Sequence, residues 1–197
     1  MKMTKKLVAV LLAVMLMAPM AVSAAAPSPS KSSINGQVAE SEVTYNGKSQ
    51  LPGSLVIGGK KLYLNKDFVI DKKYAAKNSD CYKIKIKGIG KYTGEATVYF
   101  TIKKKAQTIK TKVSSKSYKA SKLKKAGKSF ELKTKATSSK ITYKVTGKNA
   151  KKYIKVSKKG KVTIKKGIKK GTYKIQITAK ATKNYQSATK TIKIVIK

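Results

Sequence analysis

The chain has 197 residues and 47 basic side chains, every one a lysine, against seven acids; it lacks histidine and carries a formal net charge of +40. Without histidine the usual general base, proton shuttle and metal ligand is missing, and a Ser-His-Asp or Cys-His site is excluded. A single cysteine, Cys81, excludes an internal disulfide, so each folded domain stands on its own apolar core.

Residues 1–24 read as a secretory signal peptide. Lys2, Lys5 and Lys6 form a basic start, the run from Leu7 to Ala18 is apolar, Pro19 breaks it, and Val22-Ser23-Ala24 offers small residues for cleavage. The apolar run is short for a membrane span, and no later segment is apolar enough for one. Residues 25–40, with Ala26-Pro27-Ser28-Pro29-Ser30, read as a flexible linker.

Residues 41–103 carry the two-residue alternation of half-buried strands. The runs 54–57 and 61–64 flank Gly58-Gly59, a hairpin signal. In Cys81-Tyr82-Lys83-Ile84-Lys85-Ile86-Lys87, Tyr82, Ile84 and Ile86 share one face, which leaves Cys81 with the lysines on the other. Asp67 and Asp71 are placed on one strand, pointing the same way and flanked by Lys66, Lys72 and Lys73. They supply too few oxygens for calcium, and no metal site is assigned.

A lysine-rich junction, Lys103-Lys104-Lys105-Ala106-Gln107, separates this domain from residues 104–197. Beyond it, strands are predicted at 108–113, 129–135, 140–145, 153–156, 161–165, 172–181 and 189–197, the spacing of a β-sandwich. The inward set is Phe130, Leu132, Ile141, Tyr143, Val145, Ile154, Val156, Val162, Ile164, Tyr173, Ile175, Ile177, Ile192, Ile194 and Ile196. No stretch shows helical periodicity. Tyr92 and Tyr185 each sit just before the last strand of a domain, where a hydroxyl can pin the loop to the backbone; both are read as structural.

Charge divides the two domains. Residues 27–103 hold 13 lysines and six acids, whereas residues 104–197 hold 31 lysines and one acid, Glu131. Alternation turns Glu131 outward, away from Phe130 and Leu132, which suits charge balance rather than chemistry. No glycine-rich loop joins a strand to a helix, so no nucleotide cradle is seen. No catalytic residue, cofactor or metal is assigned, and no enzymatic activity is expected.

Family resemblances follow from these motifs. With Asn46-Gly47-Lys48, Lys66-Asp67-Phe68-Val69-Ile70 and Gly88-Ile89-Gly90-Lys91-Tyr92-Thr93-Gly94, the first domain resembles an immunoglobulin-like repeat of Gram-positive surface proteins. With Lys116-Ser117-Tyr118-Lys119-Ala120, Ile141-Thr142-Tyr143-Lys144-Val145, Gly160-Lys161-Val162-Thr163-Ile164, Gly171-Thr172-Tyr173 and Asn184-Tyr185, the second is similar to lysine-rich bacterial Ig-like modules of Clostridia. The resemblance implies an all-β chain of two tandem Ig-like β-sandwich domains, used as spacers or adhesive modules on secreted proteins. The chain departs from that pattern in showing no third domain and no sortase-type motif.

A solubilising coat works with charges of both signs, so the near-absence of acids from 104–197 points instead to polyanion binding. The candidate contacts are Lys151, Lys152, Lys158, Lys159, Lys165, Lys166, Lys169 and Lys170. The expected partner is an anionic cell-wall polymer or an acidic glycan, and the expected location is extracellular and wall-associated. Nucleic acid would bind only non-specifically, because arginine and tryptophan are lacking. A host-glycan or mucin adhesin and a purely structural spacer remain open alternatives, as does an AT-rich coding origin for the lysine bias.

Overall fold

The computed structural model describes residues 29–197, and Lys31–Lys197 form one compact unit. The secretion leader expected over 1–24 lies outside the described residues. The described chain is all-β, with two sandwiches in tandem.

The first sandwich contains β1 (Ser32–Ser33), β2 (Val38–Thr44), β3 (Ser54–Ile57), β4 (Lys60–Tyr63), β5 (Phe68–Ile70), β6 (Cys81–Gly88), β7 (Tyr92–Thr93) and β8 (Glu95–Lys103). Its main sheet has the order β2-β8-β6-β5, with β2 parallel to β8 and the other pairs antiparallel. Alternation builds the core: β6 buries Ile84 and Ile86, and β8 buries Ala96, Val98, Phe100 and Ile102. The β3–β4 hairpin adds Leu55, Ile57 and Leu62. Its turn residues Gly58 and Gly59 both have positive φ, 54° and 75°, as a type I′ turn requires.

The segment read as a flexible linker to residue 40 is ordered from Ser32. β1 pairs with β7, Ile34 and Ala39 are buried, and β2 lies along β8. Its Ser, Asn, Gly and Gln content gives a local loop signal, but pairing with distant strands decides its structure. The two aspartates also differ from expectation. Asp67 precedes β5, is nearly buried, and accepts from the Tyr63 N–H at 2.9 Å. Asp71 follows β5, caps a 3-10 turn at Lys72–Tyr74, and pairs with Lys73 at 2.9 Å. The Lys73 backbone N–H, then its ammonium, hold the Asp71 carboxyl below its ordinary range. Both acids are committed to turns, and among the described residues no three His, Cys, Asp or Glu side chains gather as metal ligands.

The second sandwich contains β9 (Ile109–Lys110), β10 (Ser115–Tyr118), α1 (Ala120–Lys125), β11 (Lys128–Glu131), β12 (Lys135–Ala136), β13 (Ile141–Thr146), α2 (Ala150–Tyr153), β14 (Ile154–Val156), β15 (Lys161–Ile164), β16 (Gly171–Ala179) and β17 (Ala188–Ile196). One sheet has the order β10-β17-β16-β13, the facing sheet β11-β15-β14, and β9 pairs with β12. Ten of the predicted inward residues are buried; Phe130, Ile141, Tyr143, Val145 and Val156 are half-buried and pack on the rim of the core. Ile141, Tyr143, Val145 and Val156 lie on the edge strands β13 and β14, each covered on one side only.

In the second sandwich, β10, α1 and α2 escaped the sequence reading. The polar strand β10 shows no alternation, and parallel pairing with β17 holds it, Tyr118 opposite Ile196. Helices α1 and α2 are too short for a periodic signal. They form because Leu123 and Ala150 enter the core, since isolated helices of this length are unstable.

The loop-pinning hydroxyl belongs to other tyrosines than Tyr92 and Tyr185. Tyr173 donates to the Lys169 carbonyl and Tyr82 to the Asn78 carbonyl, each at 2.9 Å and four residues back. Burial, with Tyr153 nearby, pushes the Tyr173 hydroxyl up from its ordinary pKa. Tyr92 packs its ring on the first core. Tyr185 sets its ring edge-on to Tyr45, with centroids 5.5 Å apart.

Candidate anion-binding surface

Because β-strand side chains alternate, the same runs that bury isoleucine turn lysine outward. In the second sandwich this places like charges directly across the ladder: Lys174 faces Lys193 between β16 and β17, and Lys110 faces Lys135 between β9 and β12. Glu131 is exposed on β11, outward as expected, and faces Lys161 on β15. The two salt bridges among the described residues, Lys73–Asp71 and Lys103–Glu42, are both in the first sandwich. The lysines of the second sandwich are therefore largely uncompensated.

All eight candidate lysines are exposed, and the structure separates them into two groups. Ile154 pairs with Ile164, so α2 before β14 and the connection after β15 lie at one end of the sandwich. The Lys165 N–H donates to the Tyr153 carbonyl at 2.8 Å, and the Tyr173 hydroxyl anchors Lys169. Lys151, Lys152, Lys165, Lys166, Lys169 and Lys170 share this end. Lys158 and Lys159 occupy the β14–β15 turn at the other end.

That second group borders an open groove of about 740 Å³. The groove lies between the edge strands β13 and β14 and is closed on one side by β12. Half-buried Ile141, Tyr143 and Val156 form its floor, and Lys135, Lys140, Lys158 and Lys159 form its rim. No acid lines it. The Tyr143 hydroxyl is bonded to Thr134 Oγ1. Gly160, at φ +84°, lets the turn pass over that ring, since a Cβ there would meet the hydroxyl at 2.7 Å.

A buried amide shapes the far wall of the groove. Gln107 is almost fully buried, and its amide donates to the Lys180 and Gln186 carbonyls at 2.9 and 2.7 Å. Its carbonyl oxygen accepts from the hydroxyls of Ser138 and Ser139, at 3.3 and 3.4 Å. Ser139 is a groove residue. The junction segment thus enters the second sandwich and holds Ser139 at one wall of the groove. Nearby, Asn184 Oδ1 accepts from the Ser79 N–H at 2.7 Å, and its amide donates to Asn78 Oδ1 at 3.1 Å, linking the two sandwiches. Lys135, Lys140, Tyr143 and Gln107 were not singled out as site residues by the sequence. No local motif marks them, because the groove arises only from how the two sheets meet.

No protein-family model matches the chain, and no curated protein sequence matches it. Solved structures similar to it include Drosophila N-cadherin EC1-3, at 12% identity and TM-score 0.39, covering 83% of this chain and 68% of that one. Sidekick-1 immunoglobulin domains 1-4 are 13% identical with TM-score 0.31, covering 81% of this chain and 49% of that one. A SusE-like surface polysaccharide-binding protein from the Bacteroides thetaiotaomicron heparin utilisation locus is 13% identical with TM-score 0.31, covering 82% and 33%. The chain spans about half the length of the Sidekick-1 fragment and a third of the SusE-like protein. These distant likenesses lie among β-sandwich proteins; the sheet orders given above define the fold.

Proposed function

We propose that this is a non-enzymatic extracellular surface protein whose second sandwich binds anionic polymer through its lysine coat, while the first sandwich spaces it or holds a partner. One observation carries the reading: 31 lysines face one acid over residues 104–197, and both salt bridges among the described residues lie elsewhere. Lysine is a solvated point charge without the planar fork of arginine, so the attraction is long-range and undemanding of geometry. The leader of residues 1–24 supports an extracellular location, where cell-wall phosphate polymers and acidic glycans are the abundant polyanions. No helix among the described residues is long and apolar enough to cross a membrane.

The test is the affinity of the secreted chain for wall polymer and for a sulfated glycan at two ionic strengths. Neutralising about six anionic groups releases their counterions, so affinity should fall on the order of a thousandfold between about 50 and 200 mM salt. An affinity that stays flat, or no binding to either polymer, overturns the reading in favour of a purely structural spacer.

A further inference from the structure

Within that general attraction, on which this inference rests, we infer that the groove between β13 and β14 is a defined site for a short segment of an acidic polysaccharide. The groove differs in chemistry from the rest of the coat. At the six-lysine end the charges sit on a helix and a loop; a smaller open pocket of about 480 Å³ beside α2 takes in only Lys151 and Lys152 of the six, and its lining holds no aromatic ring. In the groove, four rim lysines stand around an apolar floor of Ile141, Tyr143 and Val156.

A sugar ring matches both parts. It offers one face of C–H groups, which the Tyr143 ring and the Val156 methyls take, since aromatic side chains bury large apolar area. Its acid groups, carboxylate or sulfate, reach the rim ammonium groups, and charge-assisted bonds of this kind are the stronger ones. Hydroxyls along the walls, Thr142 and Ser157 among them, can both donate and accept, as sugar hydroxyls require. A volume of about 740 Å³ falls within the range of small-molecule sites and admits roughly two or three sugar rings. A glycerol-phosphate chain would satisfy the lysines but has no ring face to cover the floor. The site is held in shape from both sides: Gly160 and Thr134 fix the Tyr143 ring, and Gln107 fixes Ser139.

The experiment titrates the whole secreted chain with a sulfated tetrasaccharide and with a glycerol-phosphate oligomer of equal charge. Two charge-matched variants are compared. One carries Lys135→Gln, Lys140→Gln, Lys158→Gln and Lys159→Gln around the groove; the other carries Lys124→Gln, Lys125→Gln, Lys169→Gln and Lys170→Gln at the opposite end, where the Gly167 N–H donates to the Leu123 carbonyl of α1 at 3.1 Å. All eight side chains are exposed, and thermal melts verify folding. The groove variant should lose about tenfold or more in affinity for the tetrasaccharide, and the control variant less than about threefold. The parent should prefer the tetrasaccharide over the phosphate oligomer. Equal losses from the two variants overturn the site and leave the diffuse coat intact. Equal affinity for the two oligomers overturns the sugar assignment. Binding of long polymer without either oligomer refutes the groove alone, and binding of neither long nor short polyanion refutes the broader function as well. Amide chemical shifts of the parent give an independent reading: titration should move residues 134–143 and 156–159, and shifts spread evenly over the lysine surface would overturn the proposal.

Discussion

The two sandwiches solve the same folding problem with opposite surfaces. Each lays an early strand parallel to its last one, β2 on β8 and β10 on β17. Each ends in a nine-residue strand and pins a loop with a tyrosine hydroxyl bonded four residues back. Their outward halves diverge. The first sandwich sets Lys87 opposite Glu95 and pairs Lys103 with Glu42; the second sets Lys174 opposite Lys193 and Lys110 opposite Lys135. Since the pleat separates the two faces, the inward residues specify the architecture and the outward ones are free to carry charge. Apart from Glu131, which faces Lys161, the second sandwich uses that freedom in one direction. The fold does not require that bias, and the proposed polyanion ligand is what would account for it.

Core truncations break the comparison most strongly, and should do so alike in both halves. Phe100 and Ile194 lie in the last strands and are fully buried. Phe100→Ala should cost roughly 3–5 kcal/mol and Ile194→Ala roughly 2–5 kcal/mol, from lost burial plus the cavity left behind. Denaturant melts check both. An unchanged melt for Ile194→Ala would contradict the register of β17.

The next effect is confined to the second sandwich. Gln107→Ala removes an amide that satisfies two carbonyls and two hydroxyls at once. Leaving buried partners unsatisfied costs about 1–3 kcal/mol. Hydrogen exchange should accelerate in 105–109 and 180–186 while the β6 amides keep their protection. Loss spread equally over both sandwiches would mean that Gln107 acts on the whole chain rather than on the junction.

Tyrosine substitutions sharpen the likeness between the halves. Tyr173→Phe and Tyr82→Phe each remove one hydroxyl bond and should each destabilise their own sandwich by about 1 kcal/mol. Tyr185→Phe should be nearly neutral, because the ring contact with Tyr45 survives. A Tyr185→Phe loss as large as that of Tyr173→Phe would restore the loop-pinning role read for Tyr185 from the sequence.

The contrast between Tyr173 and Tyr185 shows what the sequence could reveal. Alternation located the lysine face and the buried isoleucines of β15, β16 and β17, because period-two burial is a local signal, and the Gly58-Gly59 pair marked the hairpin. The tyrosine bond depends on which loop carbonyl comes within reach, and that is set by the loop's path. Ser32–Ser33 and Ser115–Tyr118 failed for the same reason: their partners are at least 60 residues away, and their own residues are polar. The candidate lysines were legible as exposed charges. Their division into a six-lysine end and a groove end was not, since the β14–β15 pairing separates neighbours in sequence.

The smallest effect tests the claim that separates the two surfaces, that the second is electrostatically strained. Lysine is fully charged at neutral pH. Like charges directly opposite on a ladder destabilise it, while opposite charges contribute roughly 0.2–1 kcal/mol. Lys174→Glu converts the Lys174–Lys193 pair into the arrangement the first sandwich already has at Lys87 and Glu95, and should stabilise the second sandwich by about that amount. Glu95→Lys, the mirror change, should weaken the first sandwich by a similar amount. Salt separates charge from packing. Near 0.1 M the Debye length is about 10 Å, so exposed pairs lose most of their influence as salt rises beyond that. Amide exchange at low salt should therefore show the gain from Lys174→Glu and the loss from Glu95→Lys, and both should shrink at high salt. In the parent chain, added salt should protect β16 and β17 more than β6 and β8. Equal salt responses in the two sandwiches would show that the lysines lie too far apart in solution to repel, and the surface would then be charged without being strained.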